Sequence, residues 1–446
     1  MNMSTFSDFE SQLKKHNINQ IQVCYIDYSG RLCGKLIPIS EMKSVISKGV
    51  VFAKANLSFG LDDHFAEDAI FLANTGDFFA NPDLNSFTFL KHRPGTGRYF
   101  SNMIDESGNN WNGCPRNQLQ KILNKYEDLD LKVKISLEPE FSIFKKNEDD
   151  FEPLSFDGMF TMSGMDKIHS IWQRLYESFQ SNNINIEQVG KEYGPGQYEA
   201  TWKYDDVIKS IENYLNFKDF VKTIVSEHGY HATFMPKPYD HLPGNGLHIH
   251  LSLWDKNNKE ISCSDDDEFP LSEIGSYFVA GLLKHSHSLT AIGCASVNSY
   301  KRILPGSWSP AHICWGNENR SALIRIPGKE NRRHIELRHG DNMNNPYIYL
   351  NTILASGLDG IQNKLTLEKP ITEDAGQLSD INNKSSIKVL PRSLNDALSF
   401  LKKNKVFRSH LGEIIFDELI KIKETELRQF ETSVHLWERQ KYFDVF

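Results

Sequence analysis

Two carboxylates lie two positions apart in a stretch of alternating apolar residues, Lys132–Phe144 (KVKISLEPEFSIF). Successive side chains of a β-strand point to opposite faces, so Glu138 and Glu140 are predicted to share the face that the apolar side chains leave free. Carboxylates on one face repel each other unless a cation offsets their charge, and Mg²⁺ and Mn²⁺ prefer oxygen ligands. The pattern indicates a metal-binding strand, and a solvated strand face is the alternative.

Histidines alternate with apolar residues in Leu247–Trp254 (LHIHLSLW), which places His248, His250 and Ser252 on one face of a second predicted strand. His-x-His is a common metal pair, and it also occurs on plain surface strands. The two glycines just before this strand, in PGNG at 243–246, let a ligand or another backbone approach closely. This neighbourhood favours a functional strand.

A third strand of this design is predicted at Arg333–His339 (RHIELRH), where Glu336 shares a face with Arg338. A carboxylate beside an arginine is typical of a metal ligand next to an anion site, or of a cross-strand ion pair. Glu192–Glu199 (EYGPGQYE) adds two acids around a Gly-Pro-Gly turn. Two more carboxylates can therefore converge on the same region from a non-helical segment.

Arginines follow further along the chain, at Arg302 in NSYKR and at Arg320 and Arg325 in NRSALIR. Guanidinium groups bind carboxylates and phosphates through paired hydrogen bonds, and plain surface arginines are the alternative. The glycine-rich Arg93–Arg98 (RPGTGR) lacks the Gly-Lys-Ser/Thr ending of a P-loop. We therefore predict a loop there rather than a phosphate cradle.

The elements that must position these residues divide at about residue 110. Residues 16–110 hold short β-like runs at Ile21–Ile26 and Phe87–Leu90 and a helical stretch near Glu41–Ser47, which predicts a small α+β domain. A helix signal begins at Cys114–Pro115, because the first turn of a helix tolerates proline. Residues 111–446 are predicted to form a larger domain with a mixed sheet backed by helices. Its predicted helices are 165–179, 207–228, 274–289 and 347–362, followed by an irregular segment at 368–388 and a helical C-terminal region.

Composition narrows the class of protein. The net charge of −8 and the isoelectric point near 6.1 give no general attraction to nucleic acid or to anionic membranes. The six cysteines contain no C-x-x-C pair, which favours reduced thiols in the cytoplasm over a zinc site or a disulfide framework. No apolar run approaches the roughly 18 residues that a membrane span needs. We therefore expect a cytoplasmic enzyme with small-molecule substrates.

In their order along the chain and in their residues, these stretches resemble motifs of the glutamine synthetase family. The motifs that carry the resemblance are PDLNSF at 82–87, CPRNQLQKIL at 114–123, GNGLHIHLSL at 244–253, NSYKRILPG at 298–306, NRSALIRIP at 319–327 and NPYIYLNTILASGLDGI at 345–361. The resemblance implies an α+β fold in which a small N-terminal β-grasp domain precedes a catalytic domain. It also implies a homo-oligomer of stacked rings with active sites between subunits.

The resemblance assigns roles to residues of this chain by position. It implies two or more Mg²⁺ or Mn²⁺ ions per site, one held by Glu140, Glu192 and Glu199 and another by Glu138, His248 and Glu336. It assigns six residues to the ATP site: Glu187, Tyr204, His250, Ser252, Arg320 and Arg325. It matches to the glutamate site Gly244, Arg302 and Arg338. The expected catalytic arginines are Arg302 and Arg320, and Arg320 stabilises the phosphoryl group in transfer.

The implied reaction activates the side-chain carboxylate of glutamate. A carboxylate is a poor electrophile, so it first attacks the γ-phosphate of ATP and forms γ-glutamyl phosphate, from which an amine displaces phosphate. Cations and arginines that offset charge on the phosphoryl group account for catalysis. No covalent enzyme nucleophile is required.

The sequence departs from the family where ammonium binds. Trp308 stands where ammonia-using members carry a glutamate, and Phe52–Asn56 (FAKAN) stands where they carry Phe-Asp-Gly-Ser-Ser. An indole packs on an alkyl or aromatic group, or faces a cation through its π surface. We therefore predict an amine acceptor larger than ammonia; the alternative is that Trp308 only packs and that Asp62 or Asp63 serves ammonium.

Two smaller departures lie in the predicted substrate sites. His334 occupies a place where an ATP-site arginine is common, for which Arg332 or Arg333 can substitute, and Pro243 replaces an asparagine that contacts glutamate.

Two other functions stay open: an ordinary glutamine synthetase that uses ammonia, and a catalytically inactive relative with a structural or binding role. Retention of all six predicted metal ligands and of Arg320 argues against an inactive relative.

Overall fold

The structure, a computed structural model, describes residues 11, 13–148, 150–266, 268–377 and 387–446. Its strands are β1 Gln20–Ile26, β2 Leu32–Pro38, β3 Val50–Ala53, β4 Asp77–Pro82, β5 Thr88–Phe89, β6 Thr96–Ile104, β7 Leu131–Lys146, β8 Phe151–Pro153, β9 Ile186–Lys191, β10 Gln197–Trp202, β11 Asp205–Asp206, β12 His231–Thr233, β13 Leu247–Asp255, β14 Trp315–Asn317, β15 Ile324–Ile326 and β16 Ile335–Leu337. Its helices are α1 Met42–Lys48, α2 Pro115–Glu127, α3 Met162–Asp166, α4 His169–Gln180, α5 Val207–Glu227, α6 Glu273–Gly293, α7 Pro346–Gln362, α8 Leu394–Leu401, α9 Lys405–Leu411, α10 Glu413–Thr432 and α11 Leu436–Tyr442. The two sheets and their helices confirm the predicted α+β class.

The N-terminal strands form one sheet in the order β2-β1-β6-β4-β3, with β5 also paired to β6. The pair β1 and β6 is parallel, and the other neighbours are antiparallel. An aromatic cluster fills its core, where the rings of Tyr25 and Phe52 lie 4.8 Å apart and those of Tyr25 and Phe78 lie 5.1 Å apart. The predicted boundary at residues 110–111 falls in the connection between β6 and α2.

The loop predicted at 93–98 is wrong in its second half, because β6 begins at Thr96. Parallel pairing with β1 satisfies the backbone there, and such a distant partner is invisible in a short glycine-rich motif. Arg98 is buried, and its guanidinium donates to Asp219 of α5 at 2.6 Å and to Asn216 at 2.9 Å. Arg98 therefore fastens the N-terminal sheet to the rest of the chain.

The second sheet is built on β7, which is 16 residues long and lies in the strand order β14-β15-β16-β13-β7-β10-β9. Helix α5 packs against β7, and α6 packs against α7. In β7 and β13, two of the three strands predicted to carry chemistry, the apolar residues of the alternating pattern are buried, and His248 and Ser252 on the other face of β13 are buried as well. The sheet is therefore the platform that presents their other faces.

The predicted helices are present with adjusted ends. The helix expected at 165–179 is two helices, α3 and α4, and the one expected at 347–362 begins at Pro346. Asn345 caps α7, because its side chain accepts hydrogen bonds from the N–H groups of Tyr347 and Ile348. Residues 378–386 of the segment predicted to be irregular lie outside the described residues. In the part of the chain that the structure describes, no helix has the length and apolar character of a membrane span.

Candidate active site

Four neighbouring strands bring the predicted metal ligands together. In the register of the sheet, His248 on β13 lies opposite Glu138 on β7, and Glu199 on β10 lies opposite Glu140 on β7. Glu336 on β16 lies opposite His250, two positions along β13 from His248. Directly opposed side chains of an antiparallel pair are near neighbours. The period-two patterns of three separate segments therefore meet on one face.

The donor atoms fall into two groups that share one histidine. The first contains Glu138, His248 and Glu336, and the second contains Glu140, Glu199 and His248; within each group one ligand atom of every residue lies within 4.8 Å of the others. The first group has the same members as one of the predicted metal sites. The second holds Glu140 and Glu199 of the other predicted site, with His248 in the place expected for Glu192.

Electrostatics in this cluster are dominated by crowded carboxylates. Burial, together with the charges of neighbouring carboxylates, raises the pKa of Glu199 to about 11. Burial opposes the charged form of Glu138, but hydrogen bonds from His248 and His250 outweigh it and hold the pKa of Glu138 well below its usual value. The Nδ1 atom of His248 lies 2.9 Å from Glu138 Oε1. This set of donor atoms is rich in carboxylate oxygen, and the cationic side chains around it do not fully offset its negative charge. Such a site fits a hard divalent cation.

Glu192 sits at the edge of the cluster, just after β9. Burial raises the pKa of Glu192 to about 7, and the charge of Glu140 adds to this effect. Its carboxylate accepts a hydrogen bond from the N–H of Tyr193 at 3.3 Å. Lys191 is fully buried, and its ammonium donates to the carbonyl oxygens of Glu192 and Gly194, each at 2.6 Å. The buried ammonium of Lys191 therefore fixes the backbone of the turn that carries Glu192.

A cavity of about 560 Å³ opens beside the carboxylate cluster, with Glu138 among its lining residues. Four residues predicted to bind ATP also line it: Glu187, Tyr204, His250 and Ser252. This volume is in the range of small-molecule and cofactor sites. The cavity thus joins the predicted nucleotide residues to the predicted metal residues.

Trp254 and Lys134 are among the lining residues of this cavity that the sequence pattern did not predict. The ring of Trp254 lies 5.7 Å from that of Tyr204, and the Lys134 ammonium lies 4.6 Å from the centroid of the Trp254 ring. Trp254 also donates from Nε1 to Ser252 Oγ at 2.8 Å. The signal was present, because Trp254 continues the two-residue alternation of His248, His250 and Ser252.

The arginines predicted for ATP lie at the border of the cluster rather than among the residues that line the cavity. Arg325 donates to Glu336 at 3.1 Å and to Glu318 at 2.6 Å. Arg320 is exposed, and its carbonyl oxygen accepts a hydrogen bond from Arg338 Nε at 3.1 Å. The guanidinium of Arg338 also donates to Glu336. Arginine charge therefore borders the carboxylates on the β15–β16 side.

Three further residues line the cavity near His250: Arg332, Arg333 and His334. His334 Nε2 lies 2.8 Å from His250 Nδ1, and His334 Nδ1 lies 2.7 Å from the carbonyl oxygen of Arg332. Burial lowers the pKa of His334 to about 4, and the charge of His250 acts in the same direction. His334 is consequently neutral at physiological pH, and positive charge at this end comes from His250 and the neighbouring arginines.

The predicted glutamate residues Gly244 and Arg302 touch each other. A Cβ atom on Gly244 would lie 2.6 Å from Arg302 Cγ and 2.3 Å from the carbonyl oxygen of Pro236, so a larger residue would clash. The buried guanidinium of Arg302 donates to Ser309 Oγ at 2.6 Å and to the carbonyl oxygen of His339 at 2.6 Å. Arg302 therefore has a fixed position between the glycine segment and the segment that carries Trp308.

Trp308 projects from the surface with 77% of its area exposed, and its ring centroid lies 6.5 Å from that of Tyr193. The acids proposed as its alternatives have partners elsewhere: Asp63 pairs with Arg31 at 2.6 Å, and Asp62 accepts from Gln429 at 3.0 Å. The aromatic neighbour of Trp308 was not predicted from the sequence. No periodic pattern links residues 193 and 308, so only the folded chain reveals their contact.

The catalytic domain of glutamine synthetase matches residues 112–442 of this chain. Glutamine synthetase of Pyrococcus abyssi is 34% identical over 442 residues, which cover 95% of this chain and 96% of that protein. Glutamine synthetase of Halobacterium salinarum is 30% identical over 452 residues, covering 99% of this chain and 96% of its own length. The chain belongs to the glutamine synthetase family.

Among solved structures, a complex of GmaS with ADP superimposes with a TM-score of 0.88 at 28% identity, over 97% of this chain and 99% of GmaS. Ligand-free GmaS gives the same TM-score at 27% identity. Family membership and this likeness make the chain an ATP-dependent ligase that forms carbon–nitrogen bonds. The family also implies dependence on a divalent cation, which the clustered carboxylates fit.

Proposed function

We propose that this enzyme joins the γ-carboxylate of glutamate to an amine larger than ammonia. The observation that carries the proposal is Trp308, an exposed indole where ammonia-using members of the family carry a glutamate. Ammonium binds where carboxylates surround it, whereas an indole offers apolar area and a π face. The structural similarity to GmaS over nearly the whole chain supports a ligase of the same kind as GmaS.

We assign the cations to the two donor groups. Glu138, His248 and Glu336 would hold one Mg²⁺ or Mn²⁺ ion. Glu140 and Glu199 of the second group, joined by Glu192 from the edge of the cluster, would hold another. When bound, these ions offset negative charge on the phosphates of ATP. The buried Lys191 keeps the backbone of Glu192 in place, so this ligand approaches from a fixed turn.

The cavity beside Glu138 is the proposed ATP site. The rings of Tyr204 and Trp254 provide aromatic surface for a purine at one end, and Glu138 marks the end where the phosphates approach the cations. The ADP complex of the similar GmaS supports a nucleotide site in this fold. Arg320 is exposed, and we assign it the stabilisation of the phosphoryl group in transfer.

Glutamate is proposed to bind at Arg302, Gly244 and Arg338. Its γ-carboxylate oxygen attacks the γ-phosphorus of ATP, the bond to the β,γ-bridging oxygen breaks, and ADP leaves. The bound substituted ammonium first loses one proton to water, and its neutral nitrogen attacks the carbonyl carbon of γ-glutamyl phosphate. Phosphate leaves with the electron pair, and the nitrogen loses a second proton to water. Arg302, fixed by Ser309 and His339, orients the glutamate for both steps.

We further propose that the chain has a domain boundary near residue 110. We also propose that it assembles into stacked homo-oligomeric rings with active sites between subunits. The family resemblance supports this assembly. Sedimentation or mass photometry of the purified protein tests it directly: a single large closed species is expected, and an active monomer would contradict it.

Replacing Trp308 with alanine is expected to lower kcat/KM for the preferred amine about tenfold, because the amine loses one aromatic contact. Trp308→Phe keeps a ring face and should retain most activity. Phosphate release from ATP with glutamate and Mg²⁺ measures this across ammonium, methylamine, longer alkylamines, ethanolamine, polyamines and an aromatic amine. Trp437→Ala, at an exposed tryptophan of α11, is the matched control.

The same panel decides between the candidate functions. Release with a substituted amine and weak release with ammonium support the proposal. Strong release with ammonium, unchanged in Trp308→Ala, would leave an ordinary glutamine synthetase. Silence with every amine and with ammonium would support a catalytically inactive relative.

A further inference from the structure

Tyr193 is an exposed aromatic residue with no part in the reaction described so far. It follows Glu192 directly, keeps 60% of its area exposed, and its ring lies 6.5 Å from that of Trp308 at an interplanar angle of 43°. Rings at this distance contact each other directly, and the 43° angle between their planes defines what we call the wedge. Both rings are largely exposed, so together they present an aromatic surface on which a third group can pack.

The backbone beneath Tyr193 is rigid. Lys191 donates to the carbonyl oxygens on both sides of it, those of Glu192 and Gly194, and the N–H of Gly194 donates to Gln197 Oε1 at 2.8 Å. A buried cation and a buried amide therefore fix the residues before and after Tyr193. The backbone that carries the Tyr193 ring is therefore preformed, which lowers the entropic cost of binding a small ligand.

Both walls of the wedge connect to the proposed glutamate residues. A Cβ atom on Gly194 would lie 3.3 Å from Cδ of Pro243, the residue before Gly244. On the other side, Ser309 follows Trp308 and accepts a hydrogen bond from Arg302. The wedge is thus tied through both of its walls to the place where the γ-carboxylate is activated.

We propose that Tyr193 is the second wall of the amine site, and that the wedge between Tyr193 and Trp308 selects primary amines that carry an alkyl or aryl substituent. The ring faces attract an ammonium centre and cover the apolar group beside it. Ammonium offers these faces no apolar group to cover. The inference rests on the proposed function, because it names the class of amine that the same site takes.

The test measures kcat and KM of the full-length enzyme for ammonium, methylamine, butylamine and benzylamine. Tyr193→Ala is expected to lower kcat/KM for the substituted amines roughly 3- to 30-fold, mainly through the amine KM. Tyr193→Phe should retain wild-type preference, and Tyr193→Leu should fall between, because it keeps apolar area without a ring face. Tyr176→Ala, at an exposed tyrosine of α4, is the matched control.

The ratio of kcat/KM for substituted amines to that for ammonium separates the possible outcomes. A lower ratio in Tyr193→Ala, with unchanged KM for ATP and glutamate, supports the inference. An equal loss for all amines and ammonium would reveal a merely structural role and overturn it, as would no loss at all. A wild-type enzyme that prefers ammonium would instead overturn the proposed function itself.

A double-mutant cycle gives an independent readout. If both rings contact the same substituent, the combined variant Tyr193→Ala and Trp308→Ala should lose less than the product of the single losses. Strictly multiplicative losses would mean that the two rings act on separate groups, which contradicts a shared wedge.

Discussion

Replacing Glu138 with glutamine is expected to lower ATP-dependent ligation by roughly 10²- to 10³-fold, the usual effect of removing one preorganised electrostatic contact. The Glu138 carboxylate lies 2.9 Å from His248 Nδ1 and 3.2 Å from His250 Nε2, and it lines the cavity proposed to bind ATP. Glutamine preserves the size of the side chain but removes its charge. The cluster then keeps its shape while losing a proposed ligand of the cation that offsets charge on the phosphates.

Steady-state phosphate release at saturating ATP, glutamate and amine measures this loss. Glu152→Gln is the matched control, because Glu152 is an exposed acid on β8, which pairs with the same strand β7. Its activity should equal that of the wild type. A Glu138→Gln enzyme with full phosphate release would remove the carboxylate cluster from the mechanism.

Replacing Glu199 with glutamine is expected to stabilise the metal-free protein and to abolish most of its stabilisation by Mg²⁺. In the folded, metal-free chain the pKa of Glu199 is raised from 4.5 to about 11, first by burial and then by neighbouring carboxylates. A raised carboxyl pKa means that the folded state holds a proton that the unfolded state releases, so stability falls as pH rises from about 4.5 towards 11. Glutamine carries no such cost.

Thermal unfolding at pH 6, 7.5 and 9, with EDTA or with Mg²⁺, measures both effects. In EDTA the variant should unfold a few degrees above the wild type, and the gap should widen with pH. Added Mg²⁺ should raise the wild-type midpoint much more than that of the variant, because a ligand that binds only the folded state stabilises it. Equal shifts in both proteins would contradict a metal role for Glu199.

The chemistry of single strands was predictable from local pattern. Alternation alone predicts that Glu138 shares a strand face with Glu140, and that His248 shares one with His250. The register between strands was not predictable, because it depends on the packing of the whole sheet. Only the folded sheet sets His248 opposite Glu138, and thereby makes His248 a member of both donor groups.

Non-local contacts account for the remaining differences. Arg98 was assigned to a loop because its parallel strand partner lies far away in sequence, and Trp254 was overlooked although it continues the alternation of β13. The contact between Tyr193 and Trp308 joins two irregular segments, for which no periodic rule exists. The acids were predictable because their spacing follows strand geometry. The place of Tyr193 beside Trp308 was not, because it follows no periodic pattern.

The acceptor amine is tested most directly by competition in one reaction mixture. The purified enzyme receives ATP, Mg²⁺, glutamate and equal concentrations of ammonium and a substituted primary amine, and mass spectrometry quantifies the two products. The proposed function predicts that the γ-glutamyl amide of the substituted amine exceeds glutamine by about tenfold or more, which corresponds to about 1.4 kcal/mol of discrimination. Glutamine as the dominant product against every amine tested would contradict the proposal and make the protein an ordinary glutamine synthetase.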